Sequence, residues 1–170
     1  NQKIEPLQGG TVENVDYMSR YAENLCNIIK KEVNAEDYER PLKGFKIVVD
    51  AGNGVGGFYA DKVLHTLGAD TDGSRFLEPD GMFPNHIPNP EDETAMQSIC
   101  SAVIENKADL GVIFDTDVDR GGAVDSQGNE INRNRLVALA SAIALEGNEG
   151  GTIVTDSITS SGLKDFIENT

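Results

Sequence analysis

At 170 residues the chain is long enough for one ordinary domain with its own core, and for pieces of a second. Acidic side chains outnumber basic ones 29 to 14, a formal net charge of −15, which argues against nucleic acid or an anionic membrane surface as a partner. No apolar run is long enough to span a bilayer, and Cys26 and Cys100 are too few for a disulfide framework. The two cysteines therefore read as buried free thiols in a reducing cytoplasm.

Residues 1 to 10, with Pro6 and the pair Gly9-Gly10, read as a linker. From 15 to 33 apolar side chains (Tyr17, Met18, Tyr21, Leu25, Cys26, Ile28, Ile29, Val33) recur at helical spacing with charges between them, which predicts an amphipathic helix. Glu36, Asp37 and Pro41 break it. Residues 45 to 50 form a β-branched run that ends in Asp50 and suits a buried parallel strand. Gly52, Gly54, Gly56 and Gly57 make a turn into a helix over 58 to 67, closed by Gly68.

A weaker strand at 75 to 77 leads into a proline-rich loop, 78 to 91, and then a helix over 94 to 106. Residues 109 to 114 are a second strong strand. Residues 122 to 125 and 130 to 131, separated by Gly128-Asn129, suggest a hairpin. An Ala- and Leu-rich helix over 135 to 145 ends at Gly147, a strand is expected at 152 to 155, and a last helix at 160 to 167. The strand–helix alternation predicts an α/β fold, a three-layer αβα domain with a mixed, mostly parallel sheet, preceded by the amphipathic helix. Ligands of such sheets collect at the carboxyl ends of the strands.

At one such end the run Leu110 to Phe114 stops at Asp115-Thr-Asp117-Val-Asp119-Arg120. One short loop can aim all three carboxylates at a single point, where they repel one another unless a cation sits between them. Mg²⁺ takes oxygen ligands and keeps open positions for phosphate, and the planar fork of Arg120 suits phosphate oxygens. The pattern points to a divalent-metal site for phosphoryl chemistry, with Asp115, Asp117 and Asp119 as ligands. A solvated acidic turn is the plain alternative.

Other readings compete. The loop begins like an EF-hand, but Arg120 stands at the turning glycine and Ser126 at the bidentate glutamate, so that reading fails. A strand ending in D-x-D also resembles the nucleophile loop of haloacid-dehalogenase-type phosphatases. Gly52-Asn-Gly54-Val-Gly56-Gly57 satisfies G-x-G-x-x-G after a strand, as a Rossmann-type nucleotide-binding module requires. Asp50 beside it would oppose a pyrophosphate, and close packing at a tight turn accounts for the glycines equally well. In the loop, Pro84, Pro88 and Pro90 stiffen a rigid crossover. His86 there could be a ligand or base, yet without a Ser or Cys partner it reads as incidental. His65 reads as a surface residue or a satisfied packing residue.

Three segments together resemble the α-D-phosphohexomutase family (phosphoglucomutase/phosphomannomutase). They are Gly54-Val-Gly56-Gly57 after a strand, Asp80-Gly-Met-Phe83-Pro84 through Pro88-Asn89-Pro90, and Ala108-Asp109-Leu-Gly111 leading to Asp115-x-Asp117-x-Asp119-Arg120, with Val124-Asp125-x-x-Gly128 following. The resemblance implies a metal-binding second domain over residues 41 to 149. Residues 1 to 40 would be the linker and closing helix of a preceding domain, and 150 to 170 the start of a following one, so the chain reads as a piece of a longer protein. It further implies that Asp115, Asp117 and Asp119 hold Mg²⁺ and that Arg120 is catalytic, beside a phosphoryl group moving between C1 and C6 of a hexose phosphate by way of a phosphoserine. Asp125 looks structural. The family usually has Gly after the first aspartate and a small residue after the second; Thr116 and Val118 stand there. Without the phosphoserine segment, these residues are expected to lack mutase activity and to bind Mg²⁺ weakly. Their partners are then a hexose phosphate and the other domains of the same chain. The terminal helix and strand are expected to fold back on the core or to exchange with a second copy in a swapped homodimer.

Overall fold

The computed structural model describes residues 9–148, 150–157 and 159–169; most of the linker read over residues 1 to 10 lies outside them. A three-stranded sheet lies at the centre. Strand β1 (Ile47–Asp50) pairs in parallel with β2 (Leu110–Phe114), which pairs antiparallel with β3 (Gly121–Asp125). Along the other edge of β1, Asp70 and Arg75 add parallel bridges, and the sheet is mixed, as expected.

The period of two in the strands sorts their side chains onto two faces. Val48, Ile113 and Val124 pack with Ala95, Ile99, Ala102 and Val103 of helix α2 (Glu93–Asn106). Ile47 and Val49 pack on the opposite face with Ala60 and Leu64 of a π-helical segment, Tyr59–His65. A 3₁₀ turn, Val55–Gly57, leads into that segment. Gly57 is required there, since a Cβ on it would stand 1.8 Å from the carbonyl oxygen of Leu77.

Helix α1 (Met18–Val33) lies outside the π-helix and forms a further layer, with Ala22 and Cys26 buried against Val63 and Leu67. Its buried stripe is narrower than the sequence pattern suggests. Tyr17, Met18, Tyr21, Ile28 and Val33 are exposed, because a single neighbouring helix covers only one side of α1. The helix stops at Asn34, whose left-handed backbone (φ 44) donates its amide to the Lys30 carbonyl. Both cysteines are free thiols, Cys26 buried and Cys100 only half-buried; burial raises both above the ordinary thiol range.

Two expected strands are not ladder strands. At 75 to 77 only Arg75 bridges Asp50, because Phe76 takes φ +53 and turns the chain out of the extended region. At 152 to 155 the chain joins no ladder among the described residues, and Val154 is 89 % exposed. A strand gains its stability from a neighbour, and none lies beside this one among the described residues. Helix α3 (Arg133–Leu145) packs against α4 (Ser161–Glu168). The expected hairpin turn is present. Val124 bridges Glu130, and Asp125 accepts from the amides of Gln127 and Asn129, hydrogen bonds that hold its carboxyl below the ordinary range. No helix among the described residues is long and apolar enough to cross a membrane.

Candidate metal centre

The loop of residues 115–120 connects β2 to β3. The last rung of the ladder pairs Phe114 with Gly121, and the Asp115 amide donates to the Arg120 carbonyl at 3.1 Å, closing the loop at its base. The sequence reading makes residues 122–125 only an arm of the following hairpin; residues 121–125 also pair with β2, so the acidic loop is itself a hairpin tip. The tip leans on the glycine turn. The Val55 amide donates to the Thr116 carbonyl at 3.0 Å, and a Cβ on Gly54 would stand 2.7 Å from that same oxygen. Gly54 is therefore what lets the turn and the loop touch.

Within this frame Asp115, Asp117 and Asp119 each present a carboxylate oxygen within 4.8 Å of the others. Asp115 is buried and the other two are exposed. An octahedral Mg²⁺ at roughly 2.0–2.1 Å from each oxygen places its ligands about 3–4 Å apart. The all-oxygen donor set suits that hard ion in its chemistry, and its two exposed members lie open to solvent.

Asp115 is gripped by Arg120, whose amide donates to Oδ1 at 3.1 Å and whose Nε donates to Oδ2 at 3.0 Å. Burial works against its charge. Hydrogen bonds from the Arg120 backbone, from Asp119 and from the Arg120 side chain outweigh burial and hold it below the ordinary carboxylate range. Asp119 shifts the other way, raised by its hydrogen bond with Asp115 and then by the charges of Asp117 and Asp115. Such splitting is expected when like charges crowd together.

Val118 takes φ +66, a left-handed conformation that disfavours β-branched side chains. A small residue is easier to hold at this position. Val118→Gly is expected to raise stability by about 0.5–1 kcal/mol, the relief of strain less the entropy of an added glycine. A urea midpoint that stays put or falls would show that the contacts of Val118 outweigh its strain.

Sequence reasoning missed a buried polar cluster beside this loop. Asp50 is fully buried at the carboxyl end of β1. Its Oδ1 accepts from the Gly52 amide at 2.9 Å and lies 3.0 Å from His86 Nε2; its Oδ2 accepts from Ser98 Oγ at 2.6 Å. The Nδ1 of His86 lies 3.0 Å from the Ile87 carbonyl oxygen, so both ring nitrogens face oxygen atoms of the protein. His86 is thus no incidental loop residue. It and Ser98 tie β1, the proline-rich loop and α2 together. The signal was available as an acid closing an otherwise apolar strand, which once buried must find a partner. Ser98 contacts Asp50 directly, so the trio is not a nucleophile–base–acid relay.

The competing sites fare less well. Amides of the glycine turn are already engaged: Gly52 with Asp50, Asn53 with the Phe76 carbonyl, Gly54 with that of Ala51, and Val55 with that of Thr116. A pyrophosphate needs such amides free. For a phosphatase of the haloacid-dehalogenase type, Asp115 would be the nucleophile, yet its side chain is 1 % exposed and both of its oxygens are held by Arg120. His65 is exposed, as expected.

Comparison with known proteins gives a consistent result. Residues 19–128 match the family profile described as "Phosphoglucomutase/phosphomannomutase, alpha/beta/alpha domain II", a span from α1 to the hairpin turn. A phosphomannomutase/phosphoglucomutase of Pseudomonas syringae pv. tomato is 36 % identical over 149 residues, 88 % of this chain and 30 % of that protein. A phosphomannomutase of Escherichia coli is 32 % identical over 157 residues, 90 % of this chain and 33 % of the other. A crystal structure of a phosphoglucomutase/phosphomannomutase family protein from Burkholderia thailandensis superposes with a TM-score of 0.76 at 30 % identity, covering 92 % of this chain and 32 % of that one. The chain thus spans about a third of the length of these relatives.

Proposed function

The chain belongs to the phosphoglucomutase/phosphomannomutase family, and on that premise we propose that it supplies the metal-holding loop of a phosphohexomutase acting on a hexose phosphate. The observation that carries this reading is the convergence of Asp115, Asp117 and Asp119 within 4.8 Å, beside an arginine that grips the buried member of the trio. In this role the three carboxylates would hold Mg²⁺, the buried Asp115 together with the exposed Asp117 and Asp119. Mg²⁺, when bound, neutralises charge on a phosphoryl group in transit between C1 and C6 by way of a phosphoserine. Arg120 binds and orients that group through the free part of its guanidinium, since phosphoryl transfer is mostly positioning and charge neutralisation. Two free thiols suit a reducing compartment, the cytoplasm. Other domains of the same polypeptide complete the cleft, so these 170 residues alone bind Mg²⁺ weakly and do not turn over a hexose phosphate.

Thermal unfolding tests the reading. Mg²⁺ with glucose 1-phosphate at tenfold its Kd is expected to raise the Tm by about 3–6 °C. NAD is expected to leave it unchanged, and beryllofluoride with Mg²⁺ to add nothing beyond Mg²⁺ alone. A shift with NAD, or a larger one with beryllofluoride, overturns the proposal, and so does robust turnover of glucose 1-phosphate by the chain.

A further inference from the structure

Arg120 is held on two sides. Its Nε donates to Asp115, and its Nη1 donates to Asn89 Oδ1 at 3.2 Å. Its Nη2 makes no hydrogen bond among the described residues, and the side chain is 54 % exposed. A guanidinium fixed at Nε and Nη1 cannot rotate in its plane, so the direction of Nη2 is set by the two acceptors together. Asp115 is part of the metal loop and moves with it. Asn89 is not; it stands 31 residues upstream in the proline-rich loop.

That loop is rigid for reasons visible in the structure. Asn89 Oδ1 also accepts from the Glu91 amide at 3.1 Å, which fixes the rotamer of the acceptor itself. Pro88 and Pro90 flank Asn89 and restrict the backbone on both sides. Three residues before it, His86 is anchored to the fully buried Asp50, and the Phe76 ring packs edge-on to the imidazole at 5.4 Å. The loop thus carries a fixed acceptor from the buried cluster of β1 to the surface of the acidic tip.

We propose that Asn89 is a positioning residue: its Oδ1, braced by the Asp50–His86 pair, holds Nη1 of Arg120 so that Nη2 faces a phosphate-bearing ligand at the acidic trio. The proposal rests on the phosphoryl-binding role given to Arg120 above. Losing a hydrogen bond to an exposed charged group is worth roughly 1 kcal/mol, or about fivefold in a local opening equilibrium.

The test follows the Nε–Hε resonance of Arg120 in the ¹⁵N-labelled chain, assigned by its loss in Arg120→Lys. In Asn89→Ala its solvent exchange is expected to quicken about fivefold. Asn89→Asp keeps the Oδ1 acceptor and is expected to return the rate to within twofold of the parent, a rescue that a purely structural role for the amide would not produce. An unchanged rate in Asn89→Ala overturns the proposal, as does failure of Asn89→Asp to restore it. One measurement needs no substitution: the order parameter of this N–H in the parent chain is expected above about 0.7, and a value below about 0.5 overturns the proposal. With Mg²⁺ present, affinity for inorganic phosphate is expected to fall about fivefold in Asn89→Ala while Mg²⁺ affinity stays within twofold. Equal phosphate affinity in the two chains overturns the proposed consequence for the ligand. A parent chain that binds neither Mg²⁺ nor phosphate brings down the functional reading instead, and the exchange rates then decide the Asn89–Arg120 coupling by themselves.

Discussion

Replacing His86 with alanine is expected to destabilise the fold by about 3–5 kcal/mol, read as a drop in the urea midpoint at unchanged slope. The expectation comes from what the substitution leaves behind rather than from what it removes. Asp50 is fully buried, and His86 Nε2 stands 3.0 Å from its Oδ1. Without the imidazole, that carboxylate keeps only the Ser98 hydroxyl and the Gly52 amide, too little to offset the lost hydration of a charge in the interior. The cavity left by the ring adds to the deficit. Ser98→Ala is the natural comparison, since it removes one neutral donor and leaves the His86 contact in place; it should cost about 1–2 kcal/mol. If His86→Ala cost no more than Ser98→Ala, the Asp50–His86 contact would not be the brace inferred from the geometry.

The second large effect falls on metal binding. Asp115→Asn is expected to lower Mg²⁺ affinity on the order of 100-fold or more, to below detection by calorimetry, because losing a ligand exceeds the 10–100-fold typical of losing a residue that merely supports one. Asp115 is the buried member of the trio and the one whose direction is fixed, by the Arg120 amide and Nε. Asp117 is exposed and keeps rotamer freedom, so Asp117→Asn should weaken binding by less. A proton on Asp119, whose carboxyl is raised by Asp115 and Asp117, competes with the ion, so Mg²⁺ affinity should fall as pH drops through the carboxylate range. Equal Mg²⁺ affinity in the parent and Asp115→Asn would remove the acidic trio from the metal site.

The acidic loop, its place after a strong strand and the helices on both faces of the sheet could all be read from the order of the residues. Each is a local matter: β-branched runs at 47–49 and 112–113, glycines after β1, and three aspartates in five positions whose mutual repulsion is set by covalent spacing alone. The partners of Asp50 could not be read in this way. Its histidine lies 36 residues away and its serine 48 residues away, and only the packing of α2 and the proline-rich loop against β1 brings them within hydrogen-bonding distance. Tertiary structure likewise decided that 152–155 would be no strand, since strand formation depends on a neighbour rather than on propensity, and that Asn89 would meet Arg120. Covalent neighbours repel or pair at distances the chain itself dictates, whereas contacts between distant residues exist only once burial of the apolar faces has chosen which surfaces meet.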